Sequence, residues 1–235
     1  MTNEQKILIE VLKANPDNPL QYVRNIVKNY SLEKLNQQII NCKDCSICNQ
    51  YKSIGHGNAN ASILVIGGYP LKEYKKNTKA FYEKEEIKNI IDKTFFDICK
   101  INKEEIYFAN VIQCFPYQLI NNKREMRIPI KKEIDNCFVF LNHLIEIIQP
   151  LVIILLGPIA LNVFNKEKNI IKNHGEWISV KGIPTIFTYH PEYFIQMKDK
   201  KDEELLNMQK YEFIEDIQKA ILYIEEKYPM IKIYN

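Results

Sequence analysis

Apolar residues fall into two rhythms along this chain. Four short continuous runs, 62–66 (SILVI), 106–112 (IYFANVI), 151–156 (LVIILL) and 184–188 (PTIFT), are rich in β-branched and aromatic residues. Such runs are what strands of a parallel sheet covered on both faces look like. Between them the spacing widens to the helical period. Residues 87–99 read as a helix, and Ile134, Cys137, Phe138, Leu141, Leu144, Ile145 and Ile148 mark one face of another that stops at Pro150. A short helix through Leu161 and Phe164 follows Gly157, and Phe213, Ile217, Ile221 and Ile224 form the buried stripe of the last one. Strand and helix in alternation predict an α/β fold, a three-layer α/β/α domain around a central four-stranded parallel sheet, spanning 41–228 with a short tail at 229–235. Residues 1–40 read as a helical N-terminal extension. Ile7, Leu8, Val11 and Leu12 recur at helical spacing, Asn15-Pro16 and Asn18-Pro19 interrupt the chain, and Ser31 is placed to cap a helix through Leu32, Leu35 and Ile39. Ligands of such sheets gather at the carboxyl ends of the strands. That directs attention to residues 67–70, 110–116, 157–158 and 189–191.

Composition changes this picture little. With 46% hydrophobic and 26% charged residues in 235, the chain is an ordinary globular one, large enough for one domain and an appendage. No apolar run approaches a membrane span, and the acidic Glu4 and Glu10 near the start do not fit a secretory signal, so a cytoplasmic protein without membrane contact is expected. The balance of 32 basic against 29 acidic residues, +3, does not by itself announce a nucleic-acid binder. Its distribution says more. Segment 118–132 gathers Lys123, Arg124, Arg127, Lys131 and Lys132 against Glu125, which suits either a phosphate-contacting surface or a solvated loop.

Six cysteines in a reducing compartment call for something other than disulfides. Cys42 and Cys45 are separated by two residues, Cys114 follows the second strand, and Cys137 lies on the inner face of its helix. Four converging thiolates suit an iron-sulfur cluster or tetrahedral zinc. Buried apolar cysteines are the plainer alternative. Cys48 extends the first pair to a third member, and Cys99 reads as core.

The segments CKDCSIC, SILVIGGYP, AFY, YFANVIQCFP, RIPIKKEIDNC, LVIILLGPIA, HGEW and TYHPEYFI, in this order, resemble the uracil-DNA glycosylase superfamily, and within it the iron-sulfur branch called family four. The likeness runs over about residues 32–225. It implies a 4Fe-4S cluster held by Cys42, Cys45, Cys114 and Cys137, and an insertion near 118–124. It also implies a monomer that binds single- or double-stranded DNA and flips a nucleotide into a pocket. By the same resemblance Gly67, Gly68 and Tyr69 line that pocket, Phe81 stacks on the base, Asn110 reads its edge, and His190 stabilises the negative charge on the departing base. Phe194 or Ile195 would wedge into the base stack, and Lys123, Arg124 and Arg127 would meet phosphates.

Several positions depart from the family's pattern. Its Gly-Glu-Ala-Pro-Gly is Gly67-Gly68-Tyr69-Pro70-Leu71 here, so the acid is missing, with Glu73 the nearest carboxylate in sequence. His174 replaces an arginine, Glu192 a serine and Gln196 an arginine. Two functions follow as expectations: a DNA glycosylase acting on uracil or a modified pyrimidine, in repair or in defence against foreign DNA, or a DNA-binding relative that has lost hydrolysis.

Overall fold

The computed structural model describes residues 19–48, 51–73, 76–77, 84–200 and 202–234. Helix α1 (Pro19–Asn41) leads through β1 (His56–Gly57) to β2 (Ile63–Gly67). Helix α2 (Glu85–Ile91) runs on into a wider-pitched turn, Asp92–Ile98, before β3 (Ile106–Asn110). A hairpin of β4 (Tyr117–Ile120) and β5 (Lys123–Met126) precedes α3 (Lys131–Ile148), β6 (Val152–Leu156) and α4 (Gly157–Phe164). The short α5 (Ile170–Asn173), β7 (Trp177–Val180), β8 (Ile183–Thr188), α6 (Pro191–Met197) and α7 (Glu203–Lys227) complete the domain. The expected extension helix at 7–12 lies outside the described residues.

The main sheet has the order β1-β3-β2-β6-β8-β7. Its four central strands, β3, β2, β6 and β8, run parallel and are the four apolar runs of the sequence. Strands β2, β3 and β6 are buried at every position, as strands with helices on both faces must be. The sequence did not announce the two edges. β1 has two residues, and β7 (WISV) alternates exposed and covered positions; each pairs antiparallel to its neighbour.

Residues 118–124, where the resemblance implies an insertion, fall in the β4-β5 hairpin. Asn121 and Asn122 both take positive φ (50° and 62°), the left-handed pair that a tight two-residue hairpin turn requires and asparagine tolerates. The tail is not loose, since Ile233 is fully buried and its carbonyl accepts from Asn102 N–H at 2.7 Å. At the other end α1 lies against α3, with Lys28 Nζ donating to the Ile148 carbonyl at 2.8 Å.

Helix α3 is anchored by a buried acid. Glu133, 1% exposed, receives both guanidinium nitrogens of Arg127 at 2.6 and 2.8 Å and the Ile130 N–H at 3.0 Å, while Arg127 also donates to the Tyr117 carbonyl. The Arg127 guanidinium is therefore committed to fastening the hairpin to α3, a correction to its expected place among the phosphate contacts. Burial pushes the Glu133 carboxyl up, but the Arg127 hydrogen bonds, the Ile130 N–H and the Arg127 charge outweigh it and hold the group below its ordinary value. Replacing Glu133 with glutamine should cost about 2 kcal/mol of unfolding free energy in urea titrations, less than for a fully enclosed pair because Arg127 keeps some solvent contact. A depressed folded-state value means that this contribution is present above pH about 4.3 and is lost as pH falls through the folded value. The Glu133→Gln protein should lack that part of the acid dependence.

Candidate functional site

At the carboxyl edge of the sheet the β2-β3 pairing extends beyond the strands. Gly67 stands opposite Asn110, and the next rungs are Val111 N–H to the Gly67 carbonyl at 2.9 Å and Ile112 N–H to the Gly68 carbonyl at 3.0 Å. Gly68 and Tyr69 then line a cavity of about 230 Å³ with Leu156, Gly157, Ile159, His190, Glu192 and Tyr193 among its other walls. That lies below the about 300 Å³ at which pockets for drug-sized ligands begin, and suits one planar heterocycle.

His190 is the N-cap of α6, and its Nδ1 accepts the Glu192 N–H at 3.2 Å. An Nδ1 that accepts leaves the proton of a neutral ring on Nε2, so the imidazole can present a donor. Burial lowers the His190 pKa to about 4, with the Glu192 carboxylate opposing and Lys84 adding to the shift, so the ring is neutral near pH 7. Gly157 makes its position possible. It sits at φ +82°, and a Cβ there would come within 2.9 Å of the His190 Cβ.

Asn110 is buried at the end of β3, and its side-chain amide has no partner among the described residues. Its carbonyl accepts from Gln113 Nε2 at 2.8 Å, which tightens the turn leading to Cys114. Asn110 and Gly67 pair at the ends of their strands next to Gly68 in the chain and are not among the residues that line the cavity. Phe81 lies outside the described residues.

Around the missing acid the structure is specific. A Cβ on Gly68 would meet the Ile159 Cβ at 3.1 Å, so Ile159 occupies the ground a larger residue would need. Glu73 is not among the residues that line the cavity and is held in an ion pair with Arg124, whose guanidinium also lies over the Tyr117 ring at 4.5 Å. Glu192 does line the cavity. Its Oε1 is 2.9 Å from Lys84 Nζ, and its side chain is 12% exposed.

Two further expectations need correcting or refining. Phe194 is not an exposed wedge: it is 3% exposed and packs edge-on against Phe213 with centroids 5.6 Å apart, because α6 turns it inward onto α7. Ile195, half-buried on the next position, remains the apolar side chain nearer the surface. His174 is tied into the fold, with Nδ1 2.9 Å from the buried Asp216, which also accepts the Thr188 hydroxyl at 2.7 Å.

The cysteines behave as a group. Cys42, Cys45, Cys48, Cys114 and Cys137 lie close enough to influence one another's ionisation, and the Cys45 and Cys48 sulfurs are 2.8 Å apart. Burial raises Cys42 to about 11 and both Cys45 and Cys137 to about 12. Cys48 goes the other way: burial is outweighed by hydrogen bonds from Cys45 and the charge of Lys52. Lys52, 1% exposed, donates to the Cys48 carbonyl and brings a positive charge to Cys48 and Cys114. Among the described residues no three Cys, His, Asp or Glu side chains are arranged to enclose a single metal ion. A zinc site needs four ligands around one point at about 2.3 Å, whereas an iron-sulfur cluster is held by sulfurs spread around a larger body. Five thiols beside a buried cation suit the second better. Cys99 sits apart, in the core.

The sequence pattern described as the Uracil DNA glycosylase superfamily matches residues 54–214. The chain belongs to that superfamily. It is similar to a Type-4 uracil-DNA glycosylase of Thermotoga maritima, 29% identical over 195 residues that cover 79% of this chain and 92% of the relative. A Type-4 uracil-DNA glycosylase of Sulfurisphaera tokodaii is 28% identical over 173 residues, covering 68% and 74% of the two chains. One from Archaeoglobus fulgidus is 25% identical over 184 residues, covering 74% and 87%. Against the superfamily's motifs, sequence reading missed Lys52, Lys84 and Ile159 as contributors. Lys52 and Lys84 look like solvated lysines in an abundance of them, and only the fold brings Ile159 over Gly68.

The His190 geometry is open to measurement. Its imidazole should titrate near 4 by NMR, and between the ordinary histidine value and about 4 falling pH should cost stability, because the unfolded chain takes up the proton first. Gly157→Ala should strain the backbone by about 1 to 2 kcal/mol, displace the ring and move that midpoint back toward the ordinary range.

Proposed function

We propose that this protein is a monofunctional DNA glycosylase that hydrolyses the bond between deoxyribose and a flipped base, uracil or a modified pyrimidine. The observation that carries the reading is His190: a neutral imidazole whose occupied Nδ1 leaves Nε2–H as donor in a base-sized cavity at the carboxyl edge of the sheet. The Type-4 relatives support the same chemistry. When the glycosidic bond breaks, its electron pair leaves with the base. A neutral donor on the departing base is worth most at that moment, when charge has developed in a site that excludes water. Asn110, with a buried amide free to pair, is suited to reading the base edge. Lys123 and Arg124 on the hairpin, with the half-buried Ile195 of α6, are the proposed DNA contacts.

In this reading Cys42, Cys45, Cys114 and Cys137 hold a 4Fe-4S cluster, with Cys48 a fifth thiol at the same place. Such a cluster supplies cross-linking rather than reactivity. The residues themselves join the end of α1, the loop after β3 and the inner face of α3. A cytoplasmic, monomeric protein completes the proposal. Gly68 favours the rival reading, a DNA binder without hydrolysis; His190 favours the enzyme, since binding alone does not need a donor on the leaving base.

Oligonucleotides carrying uracil or modified pyrimidines, single- and double-stranded, should acquire alkali-labile sites on incubation with the protein. His190→Ala should lower the rate about 100- to 1000-fold, as loss of one such donor does elsewhere. No scission on any of these substrates would sink the enzyme reading. Purified protein should be brown, with about four irons per chain; a colourless protein holding one zinc would overturn the cluster.

A further inference from the structure

The cavity that holds His190 has a single carboxylate in its described wall, Glu192. Its position is constrained on three sides. Its own N–H is bound to His190 Nδ1 at 3.2 Å, its Oε1 to Lys84 Nζ at 2.9 Å, and its side chain is 12% exposed. Among the described residues Oε2 has no donor. One oxygen is thus tethered while the other is available to the cavity. The charge is felt by its neighbours in the cavity: it opposes the lowering of His190 and, after burial, adds to the raising of the Tyr69 hydroxyl. The other nearby candidate, Glu73, is paired with Arg124, and Gly68 has no side chain, with Ile159 filling the space beside it.

We propose that Glu192 is the catalytic carboxylate of this site, orienting the attacking water and taking its proton. The inference rests on the glycosylase reading. The C1′–N bond breaks and its electron pair departs with the base, which His190 Nε2–H stabilises as an anion. The deoxyribose is left with cationic character at C1′, facing the Glu192 carboxylate. Water oxygen bonds to C1′ as one water proton passes to Glu192 Oε2. That proton is then released to solvent or to the anionic base, giving free base and an abasic sugar hydroxyl. One water is consumed, and no oxidant or further reactant is needed. Lys84 is the positioning residue in this arrangement, since it holds Oε1 and so fixes where Oε2 points. The helix start that caps α6 with His190 also delivers Glu192, so donor and base arrive from the same first turn of one element.

The test uses the full-length protein on the best oligonucleotide substrate under single-turnover conditions. Glu192→Gln preserves shape, and its fold is checked by circular dichroism. It should lower the chemical rate about 100-fold, the scale of lost general-base help, with substrate affinity, measured by anisotropy, nearly unchanged. Glu192→Ala should be equally slow and should regain rate with added formate, which supplies the missing carboxylate; a merely structural glutamate would not respond. Lys84→Met should slow the reaction less than either. Wild-type rate in folded Glu192→Gln, or a loss confined to affinity, overturns the assignment while leaving the glycosylase reading intact. A wild-type protein inactive on every substrate overturns both.

Discussion

The parallel pairing of β2 with β3 is the constraint from which the rest of this site follows. Because the ladder does not stop at the last strand residues but continues through Val111 to Gly67 and Ile112 to Gly68, two loops of different function are held in one register. One is the glycine turn that opens the cavity. The other runs from Asn110 through Gln113 to Cys114. A buried parallel pair leaves no freedom to slip, since a one-residue shift would turn every side chain to the opposite layer. The cavity wall and Cys114 are therefore placed by the same hydrogen bonds.

The cysteine group extends that register outward. Gln113 donates its backbone N–H to the Cys137 sulfur, its carbonyl accepts from Ser53 at 2.8 Å, and Asn136 Nδ2 reaches the Asp44 carbonyl at 2.7 Å. The end of α1, the loop after β3 and the inner face of α3 are thus tied together through polar contacts centred on the thiols. Between Cys114 and Cys137 the chain departs into the hairpin and returns, and the Arg127-Glu133 pair fixes the return. Bringing several thiols together carries an electrostatic cost once they ionise, and the buried Lys52 is placed to offset it.

How much of this was legible in the sequence differs by the kind of signal. The four parallel strands announced themselves as continuous apolar runs, because burial on both faces removes every polar position. Strand β7, with its mixed exposure, and β1, two residues long, carry no such signature. His190 stood out in the sequence by its place after a strand and before a proline, and the fold makes that position the N-cap of α6 in the cavity wall. Phe194 was misjudged because its motif position suggests an exposed loop, while the short helix α6 rotates it into the aromatic cluster with Phe213 and Tyr189. Arg127 looked like its basic neighbours, and only the fold shows a buried carboxylate beneath it. Pairwise neighbours distant in sequence, such as Lys84 and Glu192 or Gly68 and Ile159, leave no local pattern to read.

Those last two pairs belong together. If the residue after Gly67 carried a long side chain, its Cβ would press on Ile159, and its carboxylate would enter a cavity that already contains Glu192. Two carboxylates in a space of about 230 Å³ repel, and one of them would take up a proton. With glycine at 68, Ile159 can close over the turn, and Tyr69 can bring its ring to the wall without competing for room. Lys84, arriving at the start of α2, then has a single acid to bind. Glycine at the turn, isoleucine above it and glutamate on α6 form one steric and electrostatic arrangement that leaves a single carboxylate in the described cavity wall, on the helix that His190 caps. Changing any one of the three alters the room or the charge available to the other two.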